Sequence, residues 1–396
     1  MNAPHVSCQL DISAFADLET PAMVYDERRL QGSLAAAVRP AREAGCRILY
    51  SLKACSLISV LDRIADAVDG FACSSVFEAR VARSICQPRQ TIHFTSPGLR
   101  DSDFDELSAA CDYLSFNSLP QWQRVQRKEN LRLKCGMRLN PQISFVNDAR
   151  YDPCQPNSKL GVTPHELSRA LAAGELNGVS GLHVHNNCDA VNLSQLLATV
   201  THIERTAGDL LAASRWINLG GGYLFDQATD VQPFLKAVEI LKCRNVPDVF
   251  VEPGAAIVDN AGCLVATVLD LFDSEGKTIA VLDTTVNHMP EVFEFQYEPD
   301  VLDHLDDGKY CYVLAGSTCL AGDIFGEYAF ARPVKVGSTI VFAGCGAYST
   351  VKAHMFNGIN LPAVYMLSVD GDLKLEQTFS YEDYAHRNGI RLHHDL

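Results

Sequence analysis

A (β/α)8 barrel followed by an antiparallel β domain is the fold this sequence predicts, and three observations predict it. Eight short apolar runs rich in β-branched residues recur through the first 255 residues. Segments with helical spacing lie between them. After about residue 256 the apolar runs crowd together, with turns between and little room for helices. Strand alternating with helix argues for parallel βαβ units, and eight such units over this span argue for a closed barrel rather than an open sheet. Crowded strands without helices argue for antiparallel β, as a small barrel or sandwich.

The eight barrel runs are "CRILYSLKA" (46–54), "GFACSS" (70–75), "TIHFTSPG" (91–98), "YLSFNS" (113–118), "LKCGMRLNP" (133–141), "GVSGLHVHNN" (178–187), "WINLGGG" (216–222) and "DVFVEPGA" (248–255). Helical segments such as "SLISVLDRIADAV" (56–68), "VFEARVARSI" (76–85) and "LSQLLATVTHIERTAGDLL" (193–211) separate them. The later runs are "GCLVATVLDLF" (262–272), "KTIAVLDTT" (277–285), "KYCYVLAG" (309–316) and "STIVFAGCGAY" (338–348). The first two dozen residues lack helical pattern and are free to add a strand to that second domain. The expected division is therefore a barrel over 25–255 and a β domain built from 1–24 and 256–396.

Composition narrows the class. A chain of 396 residues that is 47% hydrophobic holds ample core for more than one domain. No apolar run approaches the ~20 residues of a membrane helix, so no membrane partner is expected. The N-terminus has no basic segment leading into an apolar core, so no secretory signal is expected. Fourteen cysteines lie scattered without CxxC pairs and read as reduced thiols of a cytoplasmic protein. A net charge of −15 argues against a nucleic-acid partner and suits a cationic ligand.

Functional groups of a (β/α)8 barrel sit at the C-terminal ends of its strands. The chemically able residues fall there: Lys53 after the first run, Arg138 in the fifth, and His183 and His185 in the sixth. Gly220, Gly221 and Gly222 follow the seventh, and Glu252 with Gly254 ends the eighth. Each has a plain alternative: a surface lysine, a flexible turn, a structural ion pair. Their joint placement on one rim is the signal.

His183 and His185 are two apart on a strand and face the same side, so "HVHNNCD" is a candidate metal site. The other strand ends offer lysine, arginine, glycines and glutamate, a poor metal shell, so no metal is expected. The tri-glycine lacks the GxGxxG spacing of a dinucleotide fold. A lysine, a phosphate grip after strand seven, a flat imidazole and a carboxylate fit pyridoxal 5′-phosphate (PLP). The lysine forms the Schiff base, glycine amides hold the phosphate, the imidazole stacks on the pyridine, and the carboxylate keeps the ring nitrogen protonated.

With these residues in place the sequence resembles the fold-type III PLP-dependent decarboxylases, the alanine racemase and ornithine decarboxylase group, along nearly its whole length. It is most similar to the carboxynorspermidine/carboxyspermidine decarboxylase family. The resemblance is carried by "SLKA" (51–54), "NSKLGV" (157–162), "GLHVH" (181–185), "NLGGG" (218–222) and "VEPG" (251–254). It continues in "HMPEVFE" (288–294), "GSTCLAGD" (316–323), "GAYST" (346–350) and "FNGINLP" (356–362). It implies an alanine racemase-type barrel and decarboxylation of a small cationic amino acid in polyamine biosynthesis. It implies that Lys53 carries PLP, His183 stacks on its ring and Glu252 faces the pyridine nitrogen. Gly220, Gly221, Gly222, Gly254 and Tyr348 would lie at the phosphate, and Arg138 near the 3′ oxygen. Cys319 would be the acid that protonates carbon, reaching with Asp323 from the partner chain of a homodimer with shared active sites. Asp189, Glu294 and Asp323 would contact substrate amines.

Three departures concern the substrate. Ala255 stands where the branch has an acidic residue, and Asn186-Asn187-Cys188-Asp189 stands where it reads Thr-Leu-Cys-Glu. Leu320 follows the cysteine where ornithine-type enzymes place an aspartate. Another aminocarboxypropyl-bearing or diamino acid substrate therefore stays open. So does a racemase or epimerase, although that chemistry needs bases on both faces, commonly lysine and tyrosine, and a cysteine in "GSTCLAGD" favours decarboxylation.

Overall fold

The computed structural model describes residue 15 and residues 18–126 and 132–390. The chain divides into two compact units, Gly32–Ile257 and a second made of Met1–Gln31 with Val258–Leu396. The first division falls inside the helix Glu27–Ala44, later in the chain than residue 24. Of the first two dozen residues, most lie outside the described ones; strand β1 (Ala22–Asp26) begins there and belongs to the second unit.

Gly32–Ile257 holds a closed parallel barrel of eight strands, β2 (Arg47–Ser51), β3 (Gly70–Cys73), β4 (Thr91–Ser96), β5 (Tyr113–Phe116), β6 (Lys134–Leu139), β7 (Val179–Val184), β8 (Trp216–Asn218) and β9 (Asp248–Val251). Each falls within one of the eight expected runs. The barrel closes where Arg47 and Ile48 pair with Phe250 and Val251. Helices begin at chemical start signals. Ser75 accepts from the Glu78 amide, and Thr163 with Glu166 forms a capping box ahead of Pro164.

Alternation along the strands fills the barrel. Leu49, Ala72, Tyr113, Trp216 and Phe250 form one buried cluster. His93 stacks on Tyr113 at 4.0 Å between ring centroids and meets Trp216 edge-on. The Trp216 ring lies where a side chain on Gly181 would stand, 2.1 Å from an ideal Cβ. Each fully buried large side chain contributes roughly 1.5–3 kcal/mol. This plug leaves the strand C-termini to carry chemistry.

The second unit carries a mixed eight-stranded sheet of β1 with β10 (Gly262–Ser274), β11 (Lys277–Leu282), β12 (Tyr310–Ala315), β13 (Ile324–Phe330), β14 (Thr339–Ala343), β15 (Ala363–Leu367) and β16 (Leu373–Gln377). The expected sheet was purely antiparallel, but β1 runs parallel to β15 and β11 parallel to β12. The β11–β12 connection, residues 283–309, is long enough for a parallel crossover and carries the helix Pro290–Phe295. Phe15, Ala22, Val24, Cys263, Val265 and Val341 pack as its core. Among the described residues no helix is long and apolar enough to cross a membrane.

Candidate active site

The C-terminal ends of β2, β6, β7, β8 and β9 bring the rim residues together within the barrel unit. Lys53 follows β2 in a turn closed by the Ala54 amide on the Ser51 carbonyl, 3.2 Å, and is exposed between buried Leu52 and Ala54. The Ser51 amide donates to the Pro253 carbonyl at 3.3 Å, so the Glu252-Pro253-Gly254 corner is tied to the lysine turn. Arg138 is buried, and burial lowers its pKa from the ordinary arginine value.

His183 lies on the inward face of β7 and neither ring nitrogen has a hydrogen-bond partner. Its Nε2 is 3.6 Å from Glu252 Oε1, beyond hydrogen-bond range. Burial holds the imidazole below its ordinary pKa, so the ring is neutral. Burial alone would push the Glu252 carboxyl up. The adjacent His183 opposes this most, with Lys53 and His185 behind it, and together they hold the group well below the usual carboxylate range. Glu252 is therefore the ionised member of this pair.

The glycine turn after β8 is interlocked with its neighbours. Gly222 has a φ of +87°, and an ideal Cβ there would stand 2.2 Å from the Asn187 carbonyl oxygen. The Gly220 amide donates to Asn218 Oδ1 at 2.9 Å, and the Gly221 amide donates to His185 Nδ1 at 3.1 Å. The second bond fixes His185 as the tautomer protonated on Nε2. Burial, with Lys53 and Arg138 nearby, holds its pKa well below the ordinary histidine value.

Two residues of this neighbourhood were not singled out from the sequence. Asn218 donates from Nδ2 to Glu252 Oε1 at 2.6 Å. The signal was present, because Asn218 stands two residues after the inward-facing Trp216. Half-buried Glu78 accepts from the Ser74 amide at 2.6 Å; burial raises its pKa, while that bond and the charge of Lys53 oppose the rise.

The departures at Asn186 and Asn187 fall on loop scaffold. Both are buried. The Asn186 amide donates to the Ile143 carbonyl and Thr199 Oγ1, and the Asn187 amide to Gln195 Oε1. Asp189 is exposed in a left-handed turn, and its Oδ2 accepts from the Cys188 thiol at 3.3 Å. Among the described residues no group of three or more His, Cys, Asp or Glu side chains is arranged to hold a metal ion.

Cys319, Asp323, Glu294 and Tyr348 belong to the second unit. Cys319 is exposed, and its amide donates to Asn357 Oδ1 at 2.8 Å. Asp323 is buried, with Oδ1 accepting from the Val286 amide at 2.8 Å and Oδ2 from the Thr318 amide at 3.0 Å and the Thr318 hydroxyl. Its carboxylate thus ties its own loop to the Val286 turn. Glu294 and Glu291 both pair with Lys352. Tyr348 is half-buried at a φ of +55°.

A closed parallel barrel with a lysine turn, a glycine turn and a buried carboxylate at one end fits a pyridoxal enzyme, and among these the decarboxylase family is the one the chain matches. The chain belongs to that family: residues 22–346 match the model described as "Pyridoxal-dependent decarboxylase, C-terminal sheet domain". It is 34% identical to a carboxyaminopropylagmatine decarboxylase of Synechocystis sp., over 96% of this chain and 98% of that one. It is 30% identical to a carboxynorspermidine/carboxyspermidine decarboxylase of Campylobacter jejuni, over 94% of this chain and 100% of that one. The crystal structure of carboxynorspermidine decarboxylase complexed with norspermidine from Campylobacter jejuni is similar with a TM-score of 0.85 at 30% identity, covering 94% of this chain and 100% of that chain. The protein is thus a PLP-dependent decarboxylase. The residues fit the cofactor: an imidazole with both nitrogens unpartnered, a buried ionised carboxylate, and a glycine turn with no room for side chains.

Proposed function

We propose that this enzyme removes the α-carboxylate of an amino acid carrying a 3-amino-3-carboxypropyl amine, with carboxynorspermidine or carboxyspermidine as substrate, in polyamine biosynthesis. The observation that carries the reading is the convergence of Lys53, His183, Glu252 and the glycine turn at one end of a barrel whose full-length relatives act on carboxyaminopropyl polyamines. The 34% identity to a carboxyaminopropylagmatine decarboxylase favours a second substrate of the same class, one ending in agmatine rather than a primary amine. Membership of the decarboxylase family disfavours the racemase reading.

When bound, the cofactor supplies an electron sink for the pair left as the carboxylate departs as CO2. Lys53 would carry it covalently. Glu252, ionised and buried, would hold a proton at the ring nitrogen. His183 offers a neutral flat face for the ring, which suits its unpartnered nitrogens. The Gly222 amide and Tyr348 would hold the phosphate, with Gly220, Gly221 and Gly254 shaping the turns around it, and Arg138 would bind the ring hydroxyl. Cys319 of the partner subunit returns a proton to the carbon that lost CO2, in a cytoplasmic homodimer. Asp189, Glu294 and Asp323 are the acidic candidates for the distal cation.

The test is CO2 release from carboxynorspermidine, carboxyspermidine, carboxyaminopropylagmatine, ornithine and lysine. Release from one of the first three at kcat/KM at least about tenfold above ornithine and lysine is expected. Preference for lysine or ornithine would sink the substrate assignment.

A further inference from the structure

We propose that Asn218 is a positioning residue: one buried carboxamide that orients the Glu252 carboxylate and locks it to the glycine turn. The inference rests on the reading of Glu252 as the partner of the ring nitrogen.

Asn218 ends β8 and is buried on its inward face. The Gly220 amide can only donate, so the atom it meets at 2.9 Å is the carboxamide oxygen. That fixes the NH2 group toward Glu252, where it donates to Oε1 at 2.6 Å. The Glu252 amide in turn donates to the Gly220 carbonyl at 2.7 Å. Gly220 and Glu252 are therefore clamped twice, once through backbone and once through Asn218.

Other residue types fail in this position. Aspartate would face a second carboxylate at hydrogen-bond distance. An aliphatic side chain would orphan both a buried donor and a buried acceptor. Lysine or arginine would neutralise Glu252 and compete with the ring nitrogen. The neutral amide holds Oε1 while leaving the charge intact and Oε2 for the cofactor. The charged or titratable groups bearing on Glu252 are His183, Lys53, His185, Arg138, His93 and Cys73, all in the same unit.

The isosteric Asn218→Asp change tests the idea without substrate, so an error in the substrate assignment cannot mimic its failure. With its carboxyl protonated, the introduced side chain still donates to Glu252; ionised, it repels it. PLP affinity of the apo-protein and the absorbance of the bound cofactor are followed against pH. The variant is expected to match the parent at low pH and to lose about tenfold in PLP affinity above a new ionisation that the parent lacks. In Asn218→Asp/Glu252→Gln the carboxyl at 218 still ionises but no longer faces a second carboxylate, so the pH-dependent loss of PLP affinity should vanish. A variant that tracks the parent at every pH, an equal loss at every pH, or a pH-dependent loss that survives Glu252→Gln would overturn the proposal. If Glu252→Gln alone leaves cofactor absorbance and affinity unchanged, the reading of Glu252 falls and takes this inference with it. Should Asn218→Asp not fold, Asn218→Ser keeps an acceptor near the Gly220 amide and removes the donor to Glu252. It is expected to weaken PLP binding about tenfold, and unchanged affinity would overturn the proposal.

Discussion

The barrel mouth and the loops of the sheet unit carry candidate residues of the same kinds, but use them differently. At the mouth, Asn218, Glu252, His185 and the glycine amides bond to one another while both His183 nitrogens go unpartnered. In the sheet unit the candidate carboxylates have partners within the chain: Asp323 accepts from Val286 and Thr318, and Glu294, with Glu291, pairs with Lys352. The mouth is a preformed site whose residues suit one flat, charged guest. The sheet loops are a preformed support whose exposed product is Cys319.

The largest effects should separate these two roles. Lys53→Ala is expected to abolish the visible band of lysine-bound cofactor and to lower kcat about 10³-fold or more. Cys319→Ala should keep that band while lowering kcat about 10²-fold. Loss of the band in the cysteine variant would break the contrast, because it would place Cys319 among the groups that hold the cofactor.

A smaller effect sharpens it. If Asp323 serves its loop, Asp323→Asn leaves one of its three donors facing an NH2 group and displaces Thr318 next to the cysteine. The expected result is a kcat fall of about tenfold, unchanged PLP affinity and a lower melting temperature, from roughly 1–3 kcal/mol of lost bonding. If Asp323 instead binds the substrate amine, KM rises with kcat unchanged, and steady-state kinetics on the purified variant decides between the two.

The same contrast explains what could be read in advance. Buried barrel strands such as β2 and β9 are apolar throughout their centres, so the sequence announces them. Strand β16, "LKLEQ", is an exposed edge with no run of core residues, and β13 carries Gly326 and Glu327 in its middle; neither was anticipated. Parallel pairing of β1 with β15 joins residues more than 300 positions apart, beyond any local pattern. The candidate cofactor residues could be grouped in advance because strand ends of a barrel converge by construction. Whether a carboxylate waits for a ligand or holds its own chain is not local information. Asp323 and Glu294 read alike in sequence; only the fold sets Thr318 beside one and Lys352 beside the other.

The smallest effect compares one buried imidazole in each unit. His93, stacked on Tyr113, and His288, bonded through Nδ1 to Thr284 Oγ1, are both held neutral by burial, each with a pKa lowered to about 3. Unfolded histidine titrates near ~6.5. Because the folded values lie below the unfolded one, the unfolded chain takes up protons first. The stability these residues contribute is complete above about pH 6.5 and drains as pH falls from there toward 3. Between pH 7 and 5 each histidine should cost about 2 kcal/mol in its own unit. Glu252 adds nothing in that window, since a depressed carboxylate loses its contribution only below the unfolded value of about 4.3. His93→Phe keeps the aromatic stack and removes the titration, so urea melts at pH 7 and pH 5 should differ by about 2 kcal/mol less for this variant than for the parent. An unchanged pH difference would mean that His93 binds its proton equally in both states, and the barrel interior would then be less dry than its aromatic packing implies.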